Sequence, residues 1–481
     1  MQKKRQKEAS RLAAPDAQER VPTHAGSRTV AYTSRVYSFL CTQALTWKTE
    51  YTREAYATVA MAQYRPLILI LCVCGLFASC RPQSSSNAQL LQRGYLWQRD
   101  WTPAVTPAVT EADRQMDGVV VLGTEIQWAA GRPSPIRTNL SWQTLKRLKK
   151  PVALALRIDP YPGPFVEDDL AATAIVTEAA QLIREANAHQ LTLNEFQLDF
   201  DCSQKKLAGY EIWVRTVRAA IQPVKLILTT LPAWLDEPDF PGLIRQCDGY
   251  VLQVHSIPTG HQTGHDVLCD PALARIWVRK AANLGRPFDV ALPTYRCIAG
   301  YDPAGNLLGV AMDSVVPVFA PGTRILDFDS DADALAILVN DWHSARPGYL
   351  KGIIWYRLPV STDRQNWRWP TLLAVMQGRV PLHRLKVSRQ GDNPVDLSIS
   401  NNGEADVPVN CTVTVTWKEG ILIASDALPG WEIRVEPGRA LFRSNSGLRL
   451  PPGTKIDIGW LRYDRTVPIA LEVSESLLPI N

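Results

Sequence analysis

The chain has 481 residues, 46% hydrophobic and 21% charged, with 28 Gly and 35 Pro, which excludes a wholly disordered, collagenous or coiled-coil protein. Its formal charge of +5 resides in the first 60 residues, where ten Lys and Arg face five Asp and Glu; the remainder is neutral overall. A neutral body has no field to attract phosphates, which argues against nucleic acid as a partner.

Residues 66–79 read PLILILCVCGLFAS, an apolar run that follows Arg65 and ends at Cys80. It is shorter than the roughly 20 apolar residues that a membrane-spanning helix needs. A basic residue, a short apolar core and small residues before a cut describe a secretory signal. The tail Leu76-Phe77-Ala78-Ser79-Cys80 resembles the bacterial lipoprotein box, and that resemblance implies cleavage, a lipid on Cys80 and a membrane-tethered protein of the bacterial cell envelope. A buried helix or uncleaved anchor is the alternative. Met61 stands where such a signal should begin, so residues 1–60 are expected to be a disordered or spurious extension, 61–80 the signal, and 81–93 a polar tether.

An exported chain meets an oxidising compartment. Cys269 and Cys297 both fall in loops expected on one face and form the predicted disulfide. No CxxC pair, HExxH or HxH occurs in the body; His261 and His265 are four apart but follow a Pro-Thr-Gly loop. The sequence therefore predicts no metal site and, lacking GxGxxG or a phosphate-binding loop, no cofactor.

From 94 to 378 short apolar runs alternate with helical stretches. Strands are expected at Tyr95–Trp101, Gly118–Glu125, Val152–Ile158, Glu195–Asp201, Lys225–Leu231, Gly249–His255, Phe288–Thr294 and Gly352–Leu358, with helices such as Asp168–Ala188, Lys206–Ile221 and Pro271–Leu284 between them. Eight such units predict an α/β fold, a (β/α)8 TIM-like barrel, with an open doubly wound sheet as the alternative. After the seventh strand, the segment around Asp302-Pro303-Ala304-Gly305-Asn306 reads as a hairpin over the barrel mouth. From 379 to 481 period-two runs, among them VDLSIS, TVTVTW and WEIRVE, predict a small C-terminal antiparallel β-sandwich, either a cap on the barrel or a sugar-binding module.

Barrel chemistry comes from the carboxyl ends of the strands. In NEFQLDFDC (194–202) the side chains of Gln197, Asp199 and Asp201 share one strand face and those of Leu198 and Phe200 the other. Two carboxylates about 7 Å apart along a strand raise one another's pKa, as a general acid requires; a structural pair bonded to Arg and to neighbouring loops is the competing reading. Glu125, Arg157, Gln253, His255, Tyr295 and Trp355 end other strands and are the expected substrate-binding groups. Together they describe an acidic, aromatic-lined pocket suited to a neutral polyol such as a glycan, although each Trp or His alone is more often a core residue. The 15 Trp add modestly to that expectation.

LWQRDWTPAV, LDFDC, TTLPAWL, YVLQVHS and ALPTY resemble a family of bacterial lipoproteins grouped as domain of unknown function 3142, over roughly residues 93–375. A remoter resemblance is to family 18 glycoside hydrolases, chitinase-like barrels whose fourth strand reads D-x-D-x-E. Here Gln197 replaces the first Asp, Asp199 matches the second, and Asp201 takes the place of the acid; Trp355 resembles the sugar-platform Trp. The shorter Asp retracts the proton donor by about one bond, and catalysis is sensitive to misplacements on the order of 1 Å. The resemblance thus implies either an altered hydrolase or a barrel that binds glycan without cutting; a scaffold for envelope assembly is the third expectation.

Overall fold

The computed structural model describes residues 89–257, 267–312, 318–444 and 448–475. Residues 1–60, the signal-like run, Cys80, His261 and His265 lie outside the described residues. Among the described residues no helix is long and apolar enough to cross a membrane.

The first described segment is strand β1 (Leu91–Leu96), followed by helix α1 (Val105–Gln115), β2 (Gly118–Ala129), β3 (Arg132–Arg137), α2 (Trp142–Lys146), β4 (Val152–Ile158) and α3 (Leu170–Ala188). Next come β5 (Glu195–Phe200), α4 (Leu207–Ile221), β6 (Lys225–Thr230), α5 (Phe240–Arg245), β7 (Gly249–Gln253), α6 (Pro271–Asn283) and β8 (Phe288–Pro293). A three-stranded insertion, β9 (Cys297–Tyr301), β10 (Leu307–Ala311) and β11 (Arg324–Phe328), precedes α7 (Ala332–Ser344), β12 (Leu350–Tyr356) and α8 (Trp369–Met376). Asp169, Asp270 and Asp331 cap α3, α6 and α7, each accepting from a backbone N–H of the first turn.

Strands β1, β2, β4, β5, β6, β7, β8 and β12 pair in parallel, and β1 bonds both β2 and β12, so the sheet closes on itself. This is the predicted barrel, not the open sheet. Most of its strands are largely apolar on both faces, because helices cover the outside and side chains fill the inside; β5, with Glu195, Gln197 and Asp199, is an exception. Leu154, Leu156, Phe196, Leu198, Leu252 and Leu292 pack outward beneath the helices. Val120, Ala153, Ala155, Ile227, Val251, Ala291 and Ile354 pack inward around Tyr95. Gly94 lets Leu358 and Met116 pack closely against β1, because a Cβ there would collide with the Leu358 side chain.

The first strand begins at Leu91, four residues before the predicted start, and ends at Leu96. Arg93 makes this segment read as tether, yet its charge is used inside the barrel. Arg93 Nη1 donates to both Glu195 oxygens at 2.9 and 3.0 Å, and Nη2 to Asp289 Oδ2 at 2.5 Å. This cluster floors the barrel. Above it, Glu195 Oε1 accepts from Gln197 Nε2 at 2.7 Å, and Gln197 Oε1 accepts from Tyr95 OH at 2.7 Å.

Beyond 384 two four-stranded antiparallel sheets form the sandwich. One has the order β13 (Leu385–Gln390), β14 (Val395–Asn401), β21 (Lys455–Tyr463), β17 (Leu422–Ala427); the other has β18 (Trp431–Glu436), β19 (Arg439–Ser444), β16 (Cys411–Trp417), β22 (Ile469–Glu475). A short pair, β15 (Val407–Pro408) and β20 (Arg449–Leu450), completes it. The apolar residues of both sheets' inner faces, among them Leu397, Val413, Val415, Phe442 and Leu461, meet in one core. The sandwich is tied to the barrel by Arg379–Glu404 at 2.6 Å, Arg449–Asp329 at 3.2 Å and Thr371 Oγ1 to the Glu404 carbonyl at 2.5 Å.

Candidate functional site

The carboxyl ends of the barrel strands form the mouth. Parallel register sets Glu125, Arg157 and Asp199 side by side on β2, β4 and β5, all turned inward. A register shift between Leu122 and Thr124 puts Glu125 on that face despite its odd spacing from Val120 and Leu122. Asp201 follows one residue beyond the end of β5.

Arg157 joins the two aspartates. Its Nη1 donates to Asp199 Oδ2 at 2.5 Å and its Nη2 to Asp201 Oδ2 at 3.3 Å. Asp199 also accepts from Thr229 Oγ1 at 2.5 Å and Gln253 Nε2 at 3.4 Å. Asp199 is therefore held by three side chains from three strands, whereas Asp201 accepts one hydrogen bond among the described residues. Burial pushes the Asp201 carboxyl up; Arg157 pulls it down and Asp199 pushes it up again, leaving it at about 6. Glu125 pairs with Arg99 at 2.6 Å.

An aromatic wall stands beside these charges. Tyr356 lies 5.9 Å from Tyr95, 5.7 Å from Trp97 and 5.6 Å from His255, with its ring nearly parallel to the imidazole. Tyr295 is buried and edge-on to both His255 and Tyr356, within the core of the small insertion. Burial pushes His255 down to about 4, so the ring is neutral at neutral pH. Trp97, Arg157, Gln253, His255 and Tyr356 each keep part of their surface open.

The mouth thus gathers Asp199, Asp201, Glu125, Arg157, Gln253, His255 and Tyr295. It does not include Trp355. That indole points outward, fully buried, against Trp367, and its Nε1 donates to Gln92 Oε1 at 2.7 Å. The inward neighbour Tyr356 takes the expected aromatic position. The predicted disulfide is corrected as well: Cys269 and Cys297 are buried thiols, one in the barrel's outer core and the other in the core of the insertion. Sequence reasoning misses Thr229 and Tyr356. Thr229 carries a signal, since it shares strand parity with inward Ile227. Among the described residues no group of three His, Cys, Asp or Glu could hold a metal ion.

With the geometry in hand, residues 149–361 match the model of a domain of unknown function, DUF3142, a narrower stretch than the resemblance in sequence suggests. No curated protein matches the chain by sequence. Among solved structures, a chitinase from Bacillus thuringiensis is similar at 10% identity, covering 80% of this chain and 100% of the other, with TM-score 0.40. A class V chitinase from Pseudomonas fluorescens aligns at 13% identity over 60% and 99%, TM-score 0.43. The spore cortex-lytic enzyme of Bacillus cereus aligns at 11% over 60% and 74%, TM-score 0.42.

Proposed function

We propose that this chain, whose residues 149–361 carry the DUF3142 domain, is a lipid-anchored protein of the bacterial envelope that hydrolyses a polysaccharide at its barrel mouth. One observation carries the reading: among the described residues Asp201 sits at the mouth with a single hydrogen bond, its carboxyl pushed up by burial to about 6, beside an Asp199 fixed by three partners. A carboxyl of that kind is protonated in a useful fraction of molecules near neutral pH.

In this reading Asp201 gives its proton to the glycosidic oxygen as the bond from that oxygen to the anomeric carbon breaks. The Asp199 carboxylate faces the positive charge that develops on the sugar ring. Water then adds its hydroxyl to the anomeric carbon and returns a proton to Asp201, so atoms and charge balance without a cofactor. Trp97 and Tyr356 would stack on sugar faces, while Gln253 and neutral His255 would bond hydroxyls. Glu125 and Tyr295 would shape the pocket from either side.

The Arg157 contact with Asp201 favours a second reading, in which the mouth binds glycan without cutting it. Turnover and calorimetric binding on a panel of neutral oligosaccharides separate the two. For a hydrolase, Asp201→Asn should lower turnover by about 10²–10⁴-fold while leaving affinity nearly intact. Binding without turnover, lost in Tyr356→Ala, would establish the second reading. No affinity at all would leave a scaffold role. The anchor rests on the apolar run and Cys80; Cys80→Ser should abolish incorporation of labelled fatty acid and release the protein from membranes.

A further inference from the structure

The sequence assigns Arg157 to substrate, yet its guanidinium is already committed. Both Nη atoms are bonded to carboxylates, and the side chain is only 14% exposed. The two arms differ. The Asp199 arm is 2.5 Å long and built into the sheet, because Arg157 and Asp199 are register partners on adjacent strands. The Asp201 arm is 3.3 Å long and reaches a residue past the end of its strand. Asp199 has Thr229 and Gln253 in reserve, whereas Asp201 has no second donor among the described residues.

We propose that Arg157 is a positioning residue, a fork that stays fixed on Asp199 and releases Asp201 when a ligand enters the mouth. This rests on the reading of the mouth as a glycan site, and it deepens that reading by naming how the acid is held. An arginine suits the task because its planar fork fixes two carboxylates at once, which a lysine's point charge cannot do. The geometry also sets the order of opening. Breaking the long arm costs one weak contact and frees the carboxyl that must reach a glycosidic oxygen. Breaking the short arm would strip a buried carboxylate of its main counter-charge. Other titratable groups near the pair are Asp159 on the loop after β4, Glu125 with Arg99, Tyr95 on β1, and Tyr356 on β12, against which His255 stacks.

Carboxyl carbon NMR titration of the full chain, with Asp201 and Asp199 assigned, tests this without needing a known ligand. Arg157→Lys keeps the charge and loses the fork. It should raise the Asp201 midpoint by about half a unit or more, roughly threefold in its proton affinity, and leave the Asp199 carboxyl signal in place. Arg157→Gln should raise Asp201 by more than about one unit, over roughly tenfold. If Arg157→Lys leaves Asp201 unchanged, Arg157 acts as a charge and not as a fork, and the proposal fails. If, in Arg157→Lys, the Asp199 carboxyl signal moves as far as that of Asp201, the arms are equal and it also fails. Should Arg157→Gln not fold, Arg157→Lys alone decides. Cellohexaose and chitohexaose are then added to the wild-type chain. Whichever binds should shift the Asp201 signal and not that of Asp199; a shift at both overturns the proposed release. If neither binds, the glycan reading suffers, while the titrations still report on the fork.

Discussion

The barrel holds two clusters of the same composition, one arginine between two carboxylates, at opposite ends of its interior. At the floor Arg93 bonds Glu195 and Asp289 through contacts of 2.5 to 3.0 Å. At the mouth Arg157 bonds Asp199 at 2.5 Å but Asp201 at 3.3 Å. The floor cluster is all strand residues, locked by register and capped by Gln197 and Tyr95. The mouth cluster includes one residue on a loop. Composition alone does not distinguish the two clusters; in the proposed reading the looser hold on the last carboxylate, one contact of 3.3 Å among the described residues, is what separates the mouth from the floor. This is the physical content of the rule that the amino-terminal face of such a barrel serves stability and the carboxyl-terminal face serves function.

The comparison breaks most visibly at the floor. Arg93→Met strands two buried carboxylates and should cost about 3–5 kcal/mol in urea unfolding at pH 7, with part of that recovered in the variant that also carries Glu195→Gln and Asp289→Asn. Recovery should be seen because Asp289 is itself pushed up by burial and held down by Arg93. An Arg93→Met loss under about 1 kcal/mol would mean that the floor is solvated and that the contrast with the mouth is empty.

Next in size are two opposed pH dependences at the mouth. Asp201 rises from its ordinary 3.8 to about 6 on folding, so the native state binds its proton more tightly than the unfolded chain and stability falls as pH rises through that window. His255 drops from 6.5 to about 4, so the unfolded chain protonates first and stability falls as pH drops through its window. Each shift corresponds to about 3 kcal/mol, with opposite signs, and the two offset between about pH 4 and 6. Asp201→Asn should be more favourable above about pH 6 than below about pH 4, by up to about 3 kcal/mol relative to its effect at pH 4. His255→Gln should gain about 3 kcal/mol at about pH 4 relative to its effect at pH 7. Chemical denaturation at a series of pH values reads both. A parallel offset at all pH values in either variant would remove the shift assigned to that residue.

The smallest effect sharpens the difference between the two mouth carboxylates. Thr229→Val removes one of three donors to Asp199 and should cost about 1–2 kcal/mol, without moving the Asp201 midpoint. A larger cost would show that Arg157 and Gln253 do not hold Asp199 in its absence.

Much of this is legible in the sequence where one face of a strand is polar. Glu195, Gln197 and Asp199 alternate with Phe196, Leu198 and Phe200, so the inward face of β5 follows from period two alone. β12 resists because Ile353, Ile354, Trp355 and Tyr356 are apolar or aromatic on both faces, and a doubly buried strand carries no alternation to read. Trp355 reads as inward for that reason. β1 resists for the opposite cause: Gln92 and Arg93 look solvated, yet each finds partners inside the fold, Gln92 in Trp355 and Arg93 in the floor carboxylates. The disulfide expectation fails because loops that share a face need not share a packing cluster. Arg157 is visible as an inward residue, but nothing in a linear sequence says that a guanidinium between two carboxylates has no hand left for a substrate.

The direction of β1 carries one more consequence. The chain enters the barrel at the floor, where Leu91 and Gln92 precede Arg93, and climbs toward Trp97 at the mouth. The described chain therefore begins on the side opposite the opening. Under the proposed anchoring at Cys80, the floor is the side nearer the tether and the opening the side away from it. If the proposed anchor holds, the intervening stretch has a maximum reach of about 35 Å, which limits how far the floor can stand from the lipid surface, with the opening farther out by the height of the barrel.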